Sequence, residues 1–222
     1  MLIFKFSVKM LIMKDSLEVL QWRYAVKKFD ETKILTEEKI LILKNAFNLT
    51  ATSYGLQPIK LVLINKKALQ KQLVPYSYNQ QQVAQASHVL VFCIETQIDE
   101  HYITEYFSRV HQIRKTGDEI LAPFKNQLIN LFSSKNIEEI KVWATNQAYL
   151  ALGNILTVCA FEQIDSCPME GFISEKYDAL LGLDKKHLKS VLVLPVGYRA
   201  ADDQFSEFKK VRKTLENSII HL

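Results

Sequence analysis

A chain of 222 residues, 48% hydrophobic and 23% charged, is long enough to bury a sizeable core and too apolar to remain disordered. Its net charge of +4 is too small to mark a nucleic-acid binder but suits an anionic small ligand. No run of eighteen apolar residues occurs, which argues against a membrane-spanning helix, and Cys93, Cys159 and Cys167 lie at no metal-ligand spacing and read as reduced thiols of a cytoplasmic protein.

Residues 1–13, MLIFKFSVKMLIM, are basic and apolar but lack the continuous apolar region and small-residue cleavage site of an export signal. Residues 1–12 are read as an extension, from an upstream start or as a short added strand, ahead of a natural start at Met13. From Asp15 to Gln21 apolar residues recur at helical spacing. The stretch Trp22–Asp30 then places Arg23 and Lys27 four residues apart between aromatic residues. Two cations delivered together can hold an anion by charge-assisted hydrogen bonds, although such charge runs are also ordinary solvated surface. After a polar connection, Thr36 is an N-cap for a helix with an acidic first turn, Glu37 and Glu38, running to about Asn48. Leu49 to Pro58 reads as a loop, Lys60 to Asn65 as a strand, Lys66 to Leu73 as a short helix, and Pro75 to Gln82 as a loop that starts the next helix.

His88 to Glu95 is a second, buried strand. Asp99 to about Lys115 is an amphipathic helix, and Gly117 to Ser134 continues as helix, broken at Pro123. Asn136 to Glu162 is the longest predicted helix, with small residues Ala148, Ala151 and Gly153 suited to close packing in a core or a subunit interface. Gln163 to Gly171 gives a turn and a short strand, Glu175 to Leu181 a helix closed by Gly182, and Ser190 to Gly197 a third apolar strand. The tail from Ala200 is basic in its middle and ends in a strand-like stretch at 217–222, which has no nearby sequence to pair with. Addition to a partner's sheet edge would satisfy its backbone groups. Three or four core strands among six or more helices make the chain α+β or α/β with one layered core.

Ordinary catalytic constellations are missing. There is no nucleophile elbow, zincin motif, P-loop or dinucleotide fingerprint, and six glycines make a glycine-rich phosphate cradle improbable. His101 and Glu105 have metal-face spacing, but an exposed helix pair is the commoner meaning. What remains are polar islands: Arg23 to Lys27, Thr52 to Gln57, Asn79 to Gln82, Pro168 to Gly171, and Lys210 to Arg212. Two groups of cations far apart in sequence, with amides and hydroxyls on loops, suit a ligand with a phosphate at one end and a flat heteroaromatic at the other.

Six motifs then fall in order from about Met13 to the C-terminus: Arg23-x-x-x-Lys27-x-Phe29-Asp30; Thr52-Ser53-Tyr54-Gly55-Leu56-Gln57-Pro58; Asn79, nine residues ahead of His88; Trp143-Ala144-x-x-Gln147-x-Tyr149-Leu150-x-x-Gly153-Asn154; Pro168-Met169-Glu170-Gly171-Phe172; and Lys210-Val211-Arg212. Together they resemble the oxygen-insensitive NAD(P)H nitroreductase and flavin reductase family. The resemblance implies one α+β domain over 13–222, with a central, mostly antiparallel sheet flanked by helices and a helical excursion at about 99–137. It implies an intertwined homodimer with C-terminal strand exchange, FMN as cofactor and NADH or NADPH as reductant. The implied reaction is a ping-pong, two-electron reduction of a small-molecule acceptor: a nitroaromatic, a quinone or free flavin.

By the same resemblance, Arg23, Lys210 and Arg212 hold the FMN phosphate, with the backbone of Tyr24 and Ala25 nearby. Lys27 and Asn79 lie at the pyrimidine edge, and Lys27 supports the reduced ring, which is anionic near N1 and C2=O. Thr52, Ser53 and Gln57 line the flavin, from the other subunit or the same one. Pro168 and Met169 lie by the ring, the backbone N–H groups of Glu170 and Gly171 point at N5 and O4, and Phe124 is the candidate aromatic gate. No side chain is expected to be catalytic. Ala25 departs from a common Ser or Thr, Gln82 from a Lys in some members, and Gly55 and Ile59 from the usual residues of the Q-P loop. A flavin-binding protein without turnover, another branch of the same fold and, with least support, a basic helical interaction module are the alternatives.

Overall fold

The computed structural model describes residues 15–222, so the expected extension at 1–12 lies outside the described residues. Helix α1 (Ser16–Trp22) is capped by Asp15, whose side chain accepts from the Leu17 N–H. Helix α2 (Glu37–Asn48) opens at Thr36, which accepts from the Lys39 N–H. Strand β1 (Ile59–Ile64), helix α3 (Lys67–Leu73) and the single turn α4 (Gln82–Gln85) lead into strand β2 (His88–Glu95). Helices α5 (Glu100–Arg114), α6 (Asp118–Ser133) and α7 (Ile137–Phe161) follow, α7 starting in a reciprocal cap between Asn136 and Glu139. The chain then forms β3 (Asp165–Ser166), α8 (Ser174–Leu181) and β4 (Leu188–Gly197).

The four strands form one antiparallel sheet in the order β1-β2-β4-β3. Because side chains alternate across a strand, the unbroken apolar run of β2 serves two cores. Val89, Val91 and Cys93 face one core with α3, α4 and α8, while Leu90, Phe92 and Ile94 face the other with α2 and α7. Ala144, Ala148 and Ala151 are fully buried in the second, where their small side chains let α7 approach the sheet. A third, smaller cluster, including Ile103, Phe107, Leu128 and Phe132, joins α5 and α6 to Leu56.

One expectation needs correction. Helix α6 runs through Pro123 without a break. Proline there removes only the bond to the Glu119 carbonyl, and both residues are exposed, so water can take its place. In the single chain the stretch at 217–222 is exposed and begins in a turn. Strand β1 meanwhile stands at one end of the sheet with a free edge among the described residues.

Candidate functional site

Past Trp22 the chain leaves the helix and becomes extended, Arg23 having φ −71° and ψ 141°. The segment is held along its length by backbone pairing. Val26 N–H donates to the Ser166 carbonyl (3.2 Å), Asp30 N–H to Tyr198 (2.8 Å), and Ala200 N–H to Lys28 (2.9 Å). Val26 and Phe29 are buried, leaving Lys27 and Lys28 outside. Lys28 is taken up by Asp202. Asp203 accepts from Lys27 N–H (2.9 Å), Lys28 N–H (3.3 Å) and the Tyr24 hydroxyl (2.9 Å). Burial works to raise the Asp203 carboxyl, but these donors outweigh it and hold the group below its ordinary range.

The C-terminal cations return to this segment. The Lys210 ammonium donates to the Arg23 carbonyl, and Arg23 Nε is buried with no partner. Burial, then the charge of Arg212, pushes the Arg23 guanidinium below its usual pKa; burial, then Arg23 and Arg212, does the same to Lys210. Among the described residues none of the three forms an ion pair. Two partly buried cations beside the exposed Arg212, repelling one another and with an unused N–H on Arg23, are matched by a phosphate dianion.

A second set of contacts gathers the polar islands around Cys167. Lys27 Nζ lies 3.9 Å and Gln82 Nε2 4.0 Å from its sulfur. Burial raises the Cys167 thiol, with Lys27 opposing, so the lysine faces a thiol and not an anion. Gln82 Nε2 also reaches Gln80 Oε1 (3.4 Å), and Gln80 Nε2 donates to the Gly171 carbonyl (2.9 Å). Asn79 stands beside them at φ 60°, its carbonyl accepting from Gln81. The turn through Pro168 is pinned to the sheet by Cys167 N–H to Pro195 (3.0 Å) and Met169 N–H to Val193 (2.8 Å). The N–H groups of Glu170 and Gly171 then have no acceptor among the described residues, while the Glu170 carboxylate accepts from Tyr149 (2.6 Å). A Cβ at Gly171 would lie 3.1 Å from Gln80 Nε2, so glycine lets the two loops meet.

Thr52, Ser53, Gln57 and Phe124 form a separate group. Ser53 N–H donates to Gln147 Oε1 (2.8 Å), Gln57 N–H to Thr52 Oγ1 (3.0 Å), and Tyr102 reaches the Leu56 and Gln57 carbonyls (2.9 Å each). The loop is tightly coiled, with Tyr54, Gly55 and Gln57 all at positive φ. At Gly55 (φ +71°) a Cβ would fall 2.6 Å from the Tyr106 hydroxyl. The Tyr54 ring stands 6.5 Å from Phe124, which packs in turn on Phe107 at 5.8 Å. This loop hangs on Gln147 and the Glu170 turn on Tyr149. Two positions along a helix are about 200° apart, so the groups attach to opposite sides of α7. Thr52 and Gln57 also border a cavity of about 720 Å³ that opens beside β1 and includes Lys60, Leu61, Tyr102 and Arg109.

Asp203, Gln80 and Cys167 are not among the expected site residues, although Cys167 adjoins Pro168 and Gln80 lies inside a polar island. Asp165 and Arg199 carry no local signal in the sequence.

Residues 20–198 match the profile of the Nitroreductase family. A Staphylococcus haemolyticus protein, whose name ascribes to it NAD(P)H nitroreductase activity, is 30% identical over 208 residues, spanning 89% of this chain and 93% of its own. The oxygen-insensitive NAD(P)H nitroreductase of Salmonella typhimurium is 27% identical over 213 residues, spanning 92% and 98%. Among solved structures, a protein from Exiguobacterium sibiricum in complex with FMN superposes with a TM-score of 0.79 at 19% identity, covering 95% of this chain and 98% of that one.

Proposed function

The chain belongs to the nitroreductase family, and from that membership we propose that it is an FMN-dependent NAD(P)H oxidoreductase that passes two electrons to a small, electron-poor acceptor. The observation that carries the cofactor assignment is the Arg23–Lys210–Arg212 trio, three cations with a buried, unused Nε and no carboxylate to neutralise them. These residues would hold the phosphate. Ala25 adds no hydroxyl there, so affinity for that end rests on charge.

When bound, FMN supplies two-electron transfer between a nicotinamide and an acceptor that occupy the same face in turn. The chain supplies the surroundings. Lys27, opposite an un-ionised Cys167, keeps an uncompensated positive charge that favours the electron-rich ring. The free N–H groups of Glu170 and Gly171 are fixed donors with no proton of their own to gain or lose near neutral pH, which suits the atom where hydride arrives and departs. Asn79 and Gln82 offer amide contacts at the ring edge, and Pro168 and Met169 form a wall beside it.

Thr52, Ser53, Gln57 and Phe124 lie on the other side of α7, so they complete a flavin site only when a second copy brings them to it. The functional unit is therefore a homodimer, with Phe124 and Tyr54 as the aromatic border of the acceptor pocket. The visible spectrum of the purified protein tests the whole reading. The expected protein is yellow, bleaches on addition of NADH or NADPH, and recovers its colour with menadione or a nitrofuran. Protein that stays colourless after incubation with FMN would sink it, and yellow protein without turnover would point to flavin binding alone.

A further inference from the structure

Arg199 lies outside every motif singled out in the sequence, yet it holds the neighbours of Arg23 on both sides. Its guanidinium carbon sits 4.4 Å from the Trp22 ring centroid and 4.5 Å from that of Tyr24, a cation between two aromatic faces. Asp165, itself buried, fixes the plane of the guanidinium. It accepts from Arg199 Nε (2.7 Å) and from the Arg199 backbone N–H (2.8 Å), and lies 2.6 Å from a terminal guanidinium nitrogen. Arg199 also pairs with Phe29 through the backbone, at the far end of the same segment. Both rings are thus committed to Arg199, and extended Arg23 between them sends its side chain elsewhere, toward Lys210 and Arg212.

We propose that Arg199 is a positioning residue for the anion site: clamped by Trp22 and Tyr24 and anchored on Asp165, it fixes the direction in which Arg23 presents its guanidinium. In that role it acts through Arg23, not by contact with the ligand. The identity of that ligand as FMN rests on the function proposed above, whereas the clamp itself requires only an anion.

Arg199→Lys preserves the charge but cannot offer a flat fork to two rings and a carboxylate at once. Trp22→Leu removes one face of the clamp and leaves Arg199 in place, a second route should the first variant fold poorly. On flavin-stripped full-length protein, the dissociation constants for FMN and riboflavin are measured by fluorescence quenching. The thermal midpoint is followed in parallel as inorganic phosphate is added at constant ionic strength. Each variant is expected to weaken FMN by about tenfold, as loss of one charge-assisted contact does, to leave riboflavin binding unchanged, and to lose the rise in midpoint with phosphate. Equal weakening of both flavins, as general loosening would give, or no weakening of either, overturns the proposal. If the wild type binds neither flavin, the FMN assignment falls and the phosphate series decides alone. A phosphate rise present in the wild type and lost in the variants supports the clamp, while a rise kept in the variants, or absent from the wild type, overturns it.

Discussion

Arg23 and Lys27 stand four residues apart and face different chemistry. Arg23 is half-buried beside two other cations with an unspent donor, whereas Lys27 is exposed and meets only the sulfur of Cys167 through its side chain. If Arg23 holds the FMN phosphate as proposed, its removal takes away a phosphate ligand, and Arg23→Ala is expected to weaken FMN binding by about ten- to a hundredfold. Lys27→Ala is expected to leave retention of FMN largely intact and to make bound flavin harder to reduce, read as a more negative midpoint potential. Equilibrium dialysis and a redox titration on both variants check this division, and identical behaviour in the two assays would refute it. Lys28, tied to Asp202 at the surface, has no part in either effect.

Helix α6 shows how an element can contradict its own sequence. Proline in a helix is costly when it strips a buried hydrogen bond, and here both Glu119 and Pro123 are exposed, so water can satisfy the freed carbonyl. Pro123 still carries its intrinsic penalty, so Pro123→Ala is expected to stabilise the fold by about 1 to 3 kcal/mol in chemical denaturation. Destabilisation would mean that the proline ring contributes packing that alanine cannot replace. The same contrast governs what the sequence revealed elsewhere. The cap at Thr36, the helix start at Asn136, the closing Gly182 and the apolar runs of β2 and β4 are local signals, and the structure places them within a residue or two of expectation. The stretch at 217–222 carries apolar, β-branched residues, which give a strand propensity but no neighbour in the same chain to pair with. Arg23 and Lys210, 187 positions apart, were connected only through the ordered motifs of a family. Asp165 and Arg199 escaped altogether, because a salt bridge between two common residues 34 positions apart has no pattern.

For the whole molecule, the free edge of β1, the cavity beside it and the exposed tail are three unfinished surfaces. A single copy leaves Val211, Leu215 and Ile220 largely exposed, and the proposed second copy would offer them an edge and a groove. Truncation after Arg212 removes most of that tail and keeps both C-terminal cations. The shortened protein is expected to lose its dimer peak on size exclusion and, with it, the Thr52–Gln57 contribution to the flavin site. A truncated protein that elutes as a dimer with unaltered flavin content would show that the tail has no such role.

The cation trio also bears on how the protein comes into being. A chain folded without an anion must bring Arg23, Lys210 and Arg212 together against their mutual repulsion. Any ligand that binds the folded chain and not the unfolded one draws the equilibrium toward folding by mass action. Under the flavin assignment, a newly made chain and its cofactor are then linked before the first turnover. On that assignment, cells short of flavin are expected to hold less of the folded protein, and not merely a less active one.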